Sequence, residues 1–565
     1  MNTFRKYIVP ALCLMVILLV TVFPYFKDGL YGYAPDYLYH LNRIEGVRDA
    51  LRTGTYPAAV YPHFYYGQGY GSALFYPDIF LLLPAVLGLL GMPAVTALKV
   101  FMSLVCLLAG VSTYCCFRYI TGEMRTALTG TFLLMLSQFY LADLIVRSGF
   151  SGYMCYVFLP LWVAGLYDFF VREGRKVWLI GAGLTGMVLC HTINTFLALF
   201  ITVLVFLFSL IFRKGRAAVR DAARMKRLVL TAGICILLSA FYTFPLLEQM
   251  TGSVDFTYSH PWAFVGEFVQ PFENFFLPTG YFFNIAYVGI GIPVIIMAGA
   301  RVFAGERASK SGRAFYYAGL ILLLSMTRIV PWKSLEKTVF NQLQFTFRIY
   351  PFALIFLITG ICILIRDMQD ERIRTGCAVT AAVLCVIFGI WQNMTVMPNE
   401  FWVIDRETIR EYSDLSGKGE WLPYSYDPEM GKALSALDPF VYYENEPEMF
   451  LPYLRLTAGA GGVFEKPETE EAVDIIVPQI YYKGYAAKGD DGTVYSVSCA
   501  DNGLTRVEAV KNGGTITVRY KRTAVQVLSI IVSVLTVAAL VICPAVYNKR
   551  KNRVSDHMER LKNGQ

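Results

Sequence analysis

The feature that most restricts this chain is the recurrence of apolar stretches near 20 residues long, each enough to cross about 30 Å of hydrocarbon as a helix. Ten are read directly, near 7 to 26, 95 to 117, 126 to 145, 153 to 171, 228 to 247, 283 to 300, 314 to 330, 349 to 365, 376 to 392 and 524 to 547. Residues 177 to 212 form one run of double length, interrupted by the polar cluster His191, Thr192, Asn194 and Thr195; split there, it brings the expected spans to twelve. Composition agrees. Only 16% of the 565 residues are charged, where soluble proteins carry roughly a quarter, and 41 Phe with 37 Tyr suit a lipid interface. The expected class is an all-α polytopic membrane protein, and a soluble enzyme is disfavoured.

The net charge of +8 does not point to nucleic acid, because the basic residues fall in short runs between apolar stretches, the pattern that orients membrane helices. Those runs are Arg5/Lys6, Arg118/Arg125, Arg172/Arg175/Lys176, Arg213 to Arg227, Arg301/Arg307/Lys310/Arg313, Arg366/Arg372/Arg374 and Lys549 to Arg553. Placing all of them in the cytoplasm requires an even number of crossings between Lys6 and Arg118. The apolar stretch 74 to 91 would invert everything after it if counted as a span, and Pro77, Asp78 and Pro84 weaken it as a crossing helix. It is therefore placed outside, as an interfacial or re-entrant helix. Both termini are then expected in the cytoplasm of a multi-pass cell-membrane protein. No small-x-small cleavage site follows the first apolar run, which reads as a retained span.

On this topology the outer face receives 27 to 94, 146 to 152, the His191 turn, 248 to 282, 331 to 348 and 393 to 523. The last segment holds 21 acidic and 13 basic residues, a net of −8, against a cationic remainder. It reads as a separate soluble domain, giving three parts: a membrane module at 1 to 392, an extracytoplasmic domain at 393 to 523, and a final span with a basic tail at 524 to 565. The domain's second half alternates short β-prone runs ("VDIIVPQIYYKGYAA", "GTVYSVSCADNG", "LTRVEAVKNGG", "TITVRYK") with turn signals at Asp490-Asp491-Gly492, Asn502-Gly503 and Asn512-Gly513, so a small β-rich fold is expected. Of twelve cysteines only Cys499 lies in a long polar region. A disulfide framework and a zinc site are not indicated.

The first outer loop carries the candidate chemistry. Pro35 and Asp36 start a helical pattern that stops at Gly54. At 100° per residue Asp36, His40 and Arg43 share one stripe beside an apolar arc of Tyr37, Leu41, Ile44 and Leu51, so the helix can lie on the outer leaflet. Two readings stand for the stripe: a catalytic face, or a cap at Asp36 with Arg43 anchored to headgroups. Arg147 in "LIVRSGFSGY" and Arg348 in "QLQFTFRIYPF" lie at outer ends of spans. There each can fork two N–H groups onto a phosphate, or snorkel to the interface. His40, His63, His191 and His260 share no metal-ligand spacing, and Gly67, Gly69 and Gly71 lack the strand and Lys-Ser/Thr of a phosphate loop. No metal ligand is assigned and no cofactor is required, although a divalent ion is left open.

Taken together the motifs resemble the GT-C glycosyltransferases, and specifically the YfhO-like bacterial membrane proteins. The resemblance rests on Asp36-x-x-x-His40-x-x-Arg43, "GTYPAAVYPHFYYGQGYGSALFYP", the helix at 74 to 91 and "LLSAFYTFPLLEQ". It extends to "QFTFRIYPF" and "GKGEWLPYSYD", similar to that family's Gln-Phe-Pro-Trp-Arg and Gly-x-Gly-Glu-Tyr-Leu-Pro segments. It implies a GT-C-like helical module and a loop aspartate acting at the outer surface on a sugar carried by polyprenyl phosphate. It also implies a cell-envelope glycopolymer, glycolipid or protein as acceptor. Asp36 would be the base and Arg147 and Arg348 the clamp on the donor phosphate; His40, Arg43, His191, Gln344 and Glu420 would bind substrate. Two departures matter. The glutamate expected after Arg147 is replaced by Ser151 and Gly152, and Asp78 stands where a second proline is usual. Either Asp78 supplies the second carboxylate or activity is reduced. The rival readings are a lipid-linked saccharide transporter or flippase, and a noncatalytic scaffold that binds an envelope polymer.

Overall fold

Among the described residues eight helices are long and apolar enough to cross a membrane: Lys6–Phe26, Ala94–Thr121, Phe150–Val171, Thr192–Ser209, Ala222–Met250, Thr346–Asp367, Glu371–Thr395 and Ala524–Cys543. These come from a computed structural model. It describes residues 3–562 apart from 28, 32–35, 148, 262, 278–287, 305–307, 397–400, 403, 405–408, 410–418, 430, 431, 433–439, 444, 445, 457–460, 467–470 and 512. A ninth span is bent by 44° between Met124–Met135 and Gln138–Arg147. The other three expected spans are shorter: Trp178–Val188, with 11 residues, Ile292–Ala298 followed by Ala300–Ala304, and Lys310–Ser325, with 16. Residues 283–287, Pro35, Lys418 and Asn512, which also figured in the expectations above, lie outside the described residues. Two short helices are what the split run 177 to 212 leads one to expect, and the shortness of the other two spans has the same physical cause. Hydropathy counts apolar residues, whereas a helix of 11 residues rises only about 16 Å and leans on its neighbours for the rest. The 74-to-91 stretch is likewise too short to cross, being a 3-10 turn at Ile79–Leu81 that runs into the helix Leu82–Leu89.

The helix Thr346–Asp367 is buried along its membrane-crossing window and forms the centre of the bundle. Its closest neighbour is Lys310–Ser325, and paired glycines permit the approach: a Cβ on Gly319 would stand 2.4 Å from Leu357 N, and one on Gly360 2.3 Å from Tyr316 N. Small residues that let backbones meet are how membrane helices pack without a hydrophobic driving force. Outward faces expose Leu12, Leu108, Val203, Phe208, Val229, Leu230, Ile321, Val383 and Leu535, an apolar belt suited to lipid.

Polar contacts divide between the two ends of this belt. At one end Arg125 pairs with Glu371, Arg374 with Glu123 at 3.4 Å, Arg224 donates to the Phe169 carbonyl, and Ser309 N–H donates to Asp367 at 2.8 Å. At the other end the Tyr242 hydroxyl donates to the Phe75 carbonyl at 2.8 Å, Gln249 to the Lys483 carbonyl at 2.8 Å, and Thr346 to the Phe268 carbonyl at 2.6 Å. Phe75 and Trp421 stack with centroids 5.0 Å apart there. The segments grouped at each end are those assigned to one side by the basic clusters.

Among the described residues ten strands follow the helix Glu371–Val396, and one partner strand lies before it. β1 (Leu30–Tyr31) pairs antiparallel with β2 (Phe401–Trp402). The others are β3 (Phe440–Tyr443), β4 (Glu446–Leu456), β5 (Gly461–Lys466), β6 (Val473–Ile480), β7 (Tyr485–Gly489), β8 (Val494–Tyr495), β9 (Val497–Cys499), β10 (Leu504–Val510) and β11 (Gly514–Tyr520). They form one antiparallel sheet in the order β8, β7, β11, β5, β4, β3, β6, β10, β9. Phe464, Ile516, Val518 and Ala487 are buried, and the register sets Ile516 beside Phe464 and Val518 beside Ala487. The strands from β6 onward were legible. β4 was not, because Pro447, Pro452 and two glutamates read against a central strand. The sheet is fastened to the first loop: Ile480 N–H donates to the Gln68 carbonyl at 2.9 Å, and Arg522 to the carbonyls of Thr55 and Pro57 at 3.2 and 3.1 Å.

Candidate functional site

The helix Asp36–Arg52 begins the site and corrects one expectation. It does not lie on a leaflet with one face in water, since Tyr37, His40 to Val47 and Ala50 are all buried. His40 is 3% exposed and Arg43 is fully enclosed. One Arg43 nitrogen, Nη2, donates to the carbonyls of Tyr76 and Pro77 at 3.1 and 2.7 Å, and the guanidinium lies 4.7 Å from the Tyr76 ring centroid. The structure therefore gives Arg43 to the backbone of 76–77 rather than to headgroups. His40 packs on Phe150 at 4.9 Å. Burial, reinforced by Arg43 and Arg147, holds its imidazole well below the usual pKa and so neutral, and its Nδ1 has no partner.

The bent span supplies the facing wall. Ser137 caps Gln138–Ala142 by accepting from Tyr140 N–H at 3.4 Å, and the chain then widens into a π-helical turn at Asp143–Arg147. Such turns re-aim side chains and concentrate at functional sites. This one pairs Arg147 Nη1 with Asp143 Oδ1 at 3.1 Å, with Asp143 2% exposed. A Cβ on Gly149 would stand 2.7 Å from that carboxylate oxygen and 3.1 Å from Arg147 Nη1, so the pair requires glycine there. Arg147 lies over the Phe347 ring at 5.3 Å.

Arg348 sits at the head of the central helix, over Phe345 at 5.1 Å. Gln344 has φ +58° and ψ −45°, and Phe345 N–H reaches back to the Leu343 carbonyl at 2.6 Å. That is a γ-turn of the strained hand, a conformation held only where its surroundings impose it. The same Leu343 carbonyl accepts from Arg348 Nη1 at 2.9 Å, so the turn also aims the guanidinium, while Arg348 Nε has no partner. Among the expected site residues, Gln344 enters through its backbone geometry.

Electrostatics show which groups face one another. Burial pushes the Asp36 carboxyl above the ordinary range; Arg147 and then Arg348 pull it back, and Glu420 raises it. His191 lies within reach of both arginines, accepts from Asn194 N–H at 3.2 Å through Nδ1, and meets Tyr76 edge-on at 5.9 Å. The structure thus brings Asp36, Arg147, Arg348, Glu420, His191 and His40 to one place. Asp78 is elsewhere. It accepts from the Tyr61 hydroxyl at 2.5 Å, feels Arg43 as its nearest cation, and lines a separate groove with Tyr242, Pro245, Gln526 and Ile530. Besides Asp36 and Glu420, a further carboxylate beside the arginines is Asp143, which sequence reasoning missed. Its signal was available: it is the sole acidic residue in 126 to 145 and stands four residues before Arg147, and an intramembrane carboxylate at pairing distance calls for a function. Among the described residues no three His, Cys, Asp or Glu side chains gather into a metal-binding group.

The fold and site define a polytopic helical membrane protein with a cluster of carboxylates and arginines at one end of its bundle. Residues 74–397 match the family described as 6-pyruvoyl-tetrahydropterin synthase related domain, membrane protein, and the chain belongs to that family. This description differs from the YfhO-like group that the motifs resemble. An uncharacterized protein of Lactococcus lactis subsp. cremoris (strain MG1363) is 22% identical over 347 residues, 59% of this chain and 56% of that protein. Among solved structures the chain is similar to the arabinofuranosyltransferase AftD from Mycobacteria, with TM-score 0.44, 16% identity, and coverage of 70% of this chain and 27% of AftD. It is also similar to the Archaeoglobus fulgidus oligosaccharyltransferase in the apo form, with TM-score 0.36, 14% identity, and coverage of 69% and 56%. The chain therefore spans a little over half of its Lactococcus relative and about a quarter of AftD.

Proposed function

We propose that this protein is a membrane glycosyltransferase that moves a sugar from a polyprenyl-phosphate donor to a cell-envelope acceptor at the outer face of the cell membrane, with both termini in the cytoplasm. The observation that carries this reading is the convergence of Asp36 with Arg147 and Arg348 at the end of the bundle assigned outside. A lipid phosphate is fixed at headgroup depth, and on this reading these side chains would meet it there. Arg147 and Arg348 would hold the phosphate oxygens through charge-assisted hydrogen bonds. Asp36 would take the proton from the acceptor hydroxyl as that oxygen bonds to the anomeric carbon. The bond from that carbon to the phosphate oxygen breaks, and polyprenyl phosphate leaves with the electron pair, its growing charge met by the arginines. Asp143, paired with Arg147, would fix the orientation of that guanidinium. Glu420 and His191 line the same pocket and would contact the sugar or the acceptor, with neutral His40 beside them.

The raised pKa of Asp36 suits a base, since a carboxylate closer to neutrality accepts a proton more readily. Incubating the purified full chain with labelled polyprenyl-phosphate sugars and envelope acceptor fractions tests the proposal. Label is expected to move to an acceptor in the parent and not in Asp36→Asn. Absence of transfer across the donor panel, with no binding of any donor, would sink the glycosyltransferase reading.

A further inference from the structure

Gln138, Gln270 and Asn274 are 3%, 1% and 7% exposed. Nevertheless, among the described residues, Nε2 and Oε1 of both glutamines and Nδ2 of the asparagine have no hydrogen-bond partner. Native interiors hold few such groups, because a buried amide that has lost water and gained nothing is destabilising. These three lie along one strip. Thr346 Oγ1 donates to the Phe268 carbonyl at 2.6 Å, and Phe275 meets Tyr350 with centroids 6.0 Å apart, so 268–276 runs beside 346–350. Gln138 closes the strip from the bent span, its backbone carbonyl accepting from Gln392 Nε2 at 2.8 Å. The point where a Cβ on Gly289 would stand is 2.5 Å from the Leu277 carbonyl, 3.0 Å from the Asn274 carbonyl and 3.2 Å from Gln138 Oε1, so only glycine lets the chain close in here and bring Gln138 and the Asn274 backbone to one place. Phe139 stacks on Tyr350 at 4.7 Å and faces Phe347 at 6.4 Å, the ring under Arg147.

We infer that Gln138, Gln270 and Asn274 form a subsite for the hydroxyl groups of a sugar, set one aromatic ring away from the arginine that would hold the phosphate. Each primary amide presents both donors and an acceptor, the same pair that every sugar hydroxyl offers in return. Few, convergent polar groups against aromatic walls are the usual make-up of a small-molecule site. The inference rests on the donor reading for the identity of the neighbouring group, but not for the chemistry of the amides.

The test uses the full chain and the triple variant Gln138→Met, Gln270→Met, Asn274→Leu, which removes the polar atoms at near-constant volume. Replacing unpartnered buried amides with apolar groups of similar shape is not expected to lower thermal stability. The probes are bare polyprenyl phosphate, a panel of polyprenyl-phosphate hexoses and pentoses, and the corresponding free monosaccharides. The parent should bind at least one sugar-bearing lipid roughly 10-fold more tightly than the bare lipid, and the matching free sugar should raise its melting temperature. The triple variant should lose both effects while keeping its melting temperature and its affinity for the bare lipid. Should the triple variant not fold, the three single variants are measured, each with an expected loss of about 3-fold in that discrimination. Discrimination retained in the triple variant, or in all three singles, overturns the subsite, as does a parent that answers to no sugar. If free-sugar stabilisation depends on the amides while the parent binds no polyprenyl phosphate, the subsite stands and the donor reading fails.

Discussion

Asp36 and Asp78 lie at the same end of the bundle, Asp36 partly buried and Asp78 buried, and both have pKa values raised by desolvation, yet their company differs. Asp36 answers to Arg147, which is also paired with Asp143, and to Arg348, which also donates to the Leu343 carbonyl. Asp78 is held by a tyrosine hydroxyl, and its cation, Arg43, already braces the carbonyls of Tyr76 and Pro77. The difference teaches that a buried carboxylate is given its role by the donors left over around it. Asp36 faces guanidinium groups able to take an incoming anion, while Asp78 completes a closed structural contact.

The largest expected effect breaks or makes this contrast. Asp36→Asn should cost roughly 10² to 10⁴ in transfer rate. Asp78→Asn, which leaves Tyr61 an oxygen to donate to, should cost under about 10-fold. Rates measured on folded, donor-binding protein decide it, and equal losses at the two positions would remove the distinction. Next, Arg147→Ala or Arg348→Ala should each lose roughly 10² to 10³ in rate. Lys should restore little of this, because the fork geometry is lost; unchanged donor affinity in both Ala variants would reduce them to interface anchors. A smaller effect is expected from Gly149→Ala, whose methyl group intrudes on the Asp143–Arg147 pair. A displaced guanidinium should lower kcat by roughly 10- to 100-fold with the fold intact, and kinetics at parent level would show the pair to be incidental.

The pH dependence gives the finest test. Asp36 must be ionised to act, so activity should fall as pH drops through a pKa above the ordinary carboxylate value of about 4. Arg147 is the strongest influence holding that pKa down, so the residual activity of Arg147→Gln should show its acid limb at higher pH. Asp78→Asn should leave the limb where it is. A limb that follows Asp78 instead would assign the titrating group to the other region.

Much of the architecture was legible for a simple reason: a bilayer imposes a length and a hydrophobicity on every crossing helix, and both are written locally. The eight long spans, the short helix at 79–89 and the strands from Val473 onward come from patterns within a few tens of residues. The helix Asp36–Arg52 was legible in extent but not in setting. Its stripe reads as amphipathic, and only the packing of Tyr61, Phe150 and the 76–77 segment around it shows why His40 and Arg43 are enclosed. Asp143 was overlooked although its spacing of four residues from Arg147 is a local pairing signal; what the sequence does not show is that the π-helical turn sets this pair beside Asp36.

By itself the sequence determined that this chain is a polytopic helical membrane protein, which segments share an end, and that Asp36, Arg147 and Arg348 are the charged residues to examine. Tertiary structure alone decided that these three face one another, that Asp143 and not Asp78 accompanies them, and that three buried amides stand unpartnered nearby. The physical reason is range. Hydropathy and turn signals act over one helix or one hairpin, whereas the neighbours of a charge are set by helix ends more than a hundred residues apart meeting at one depth.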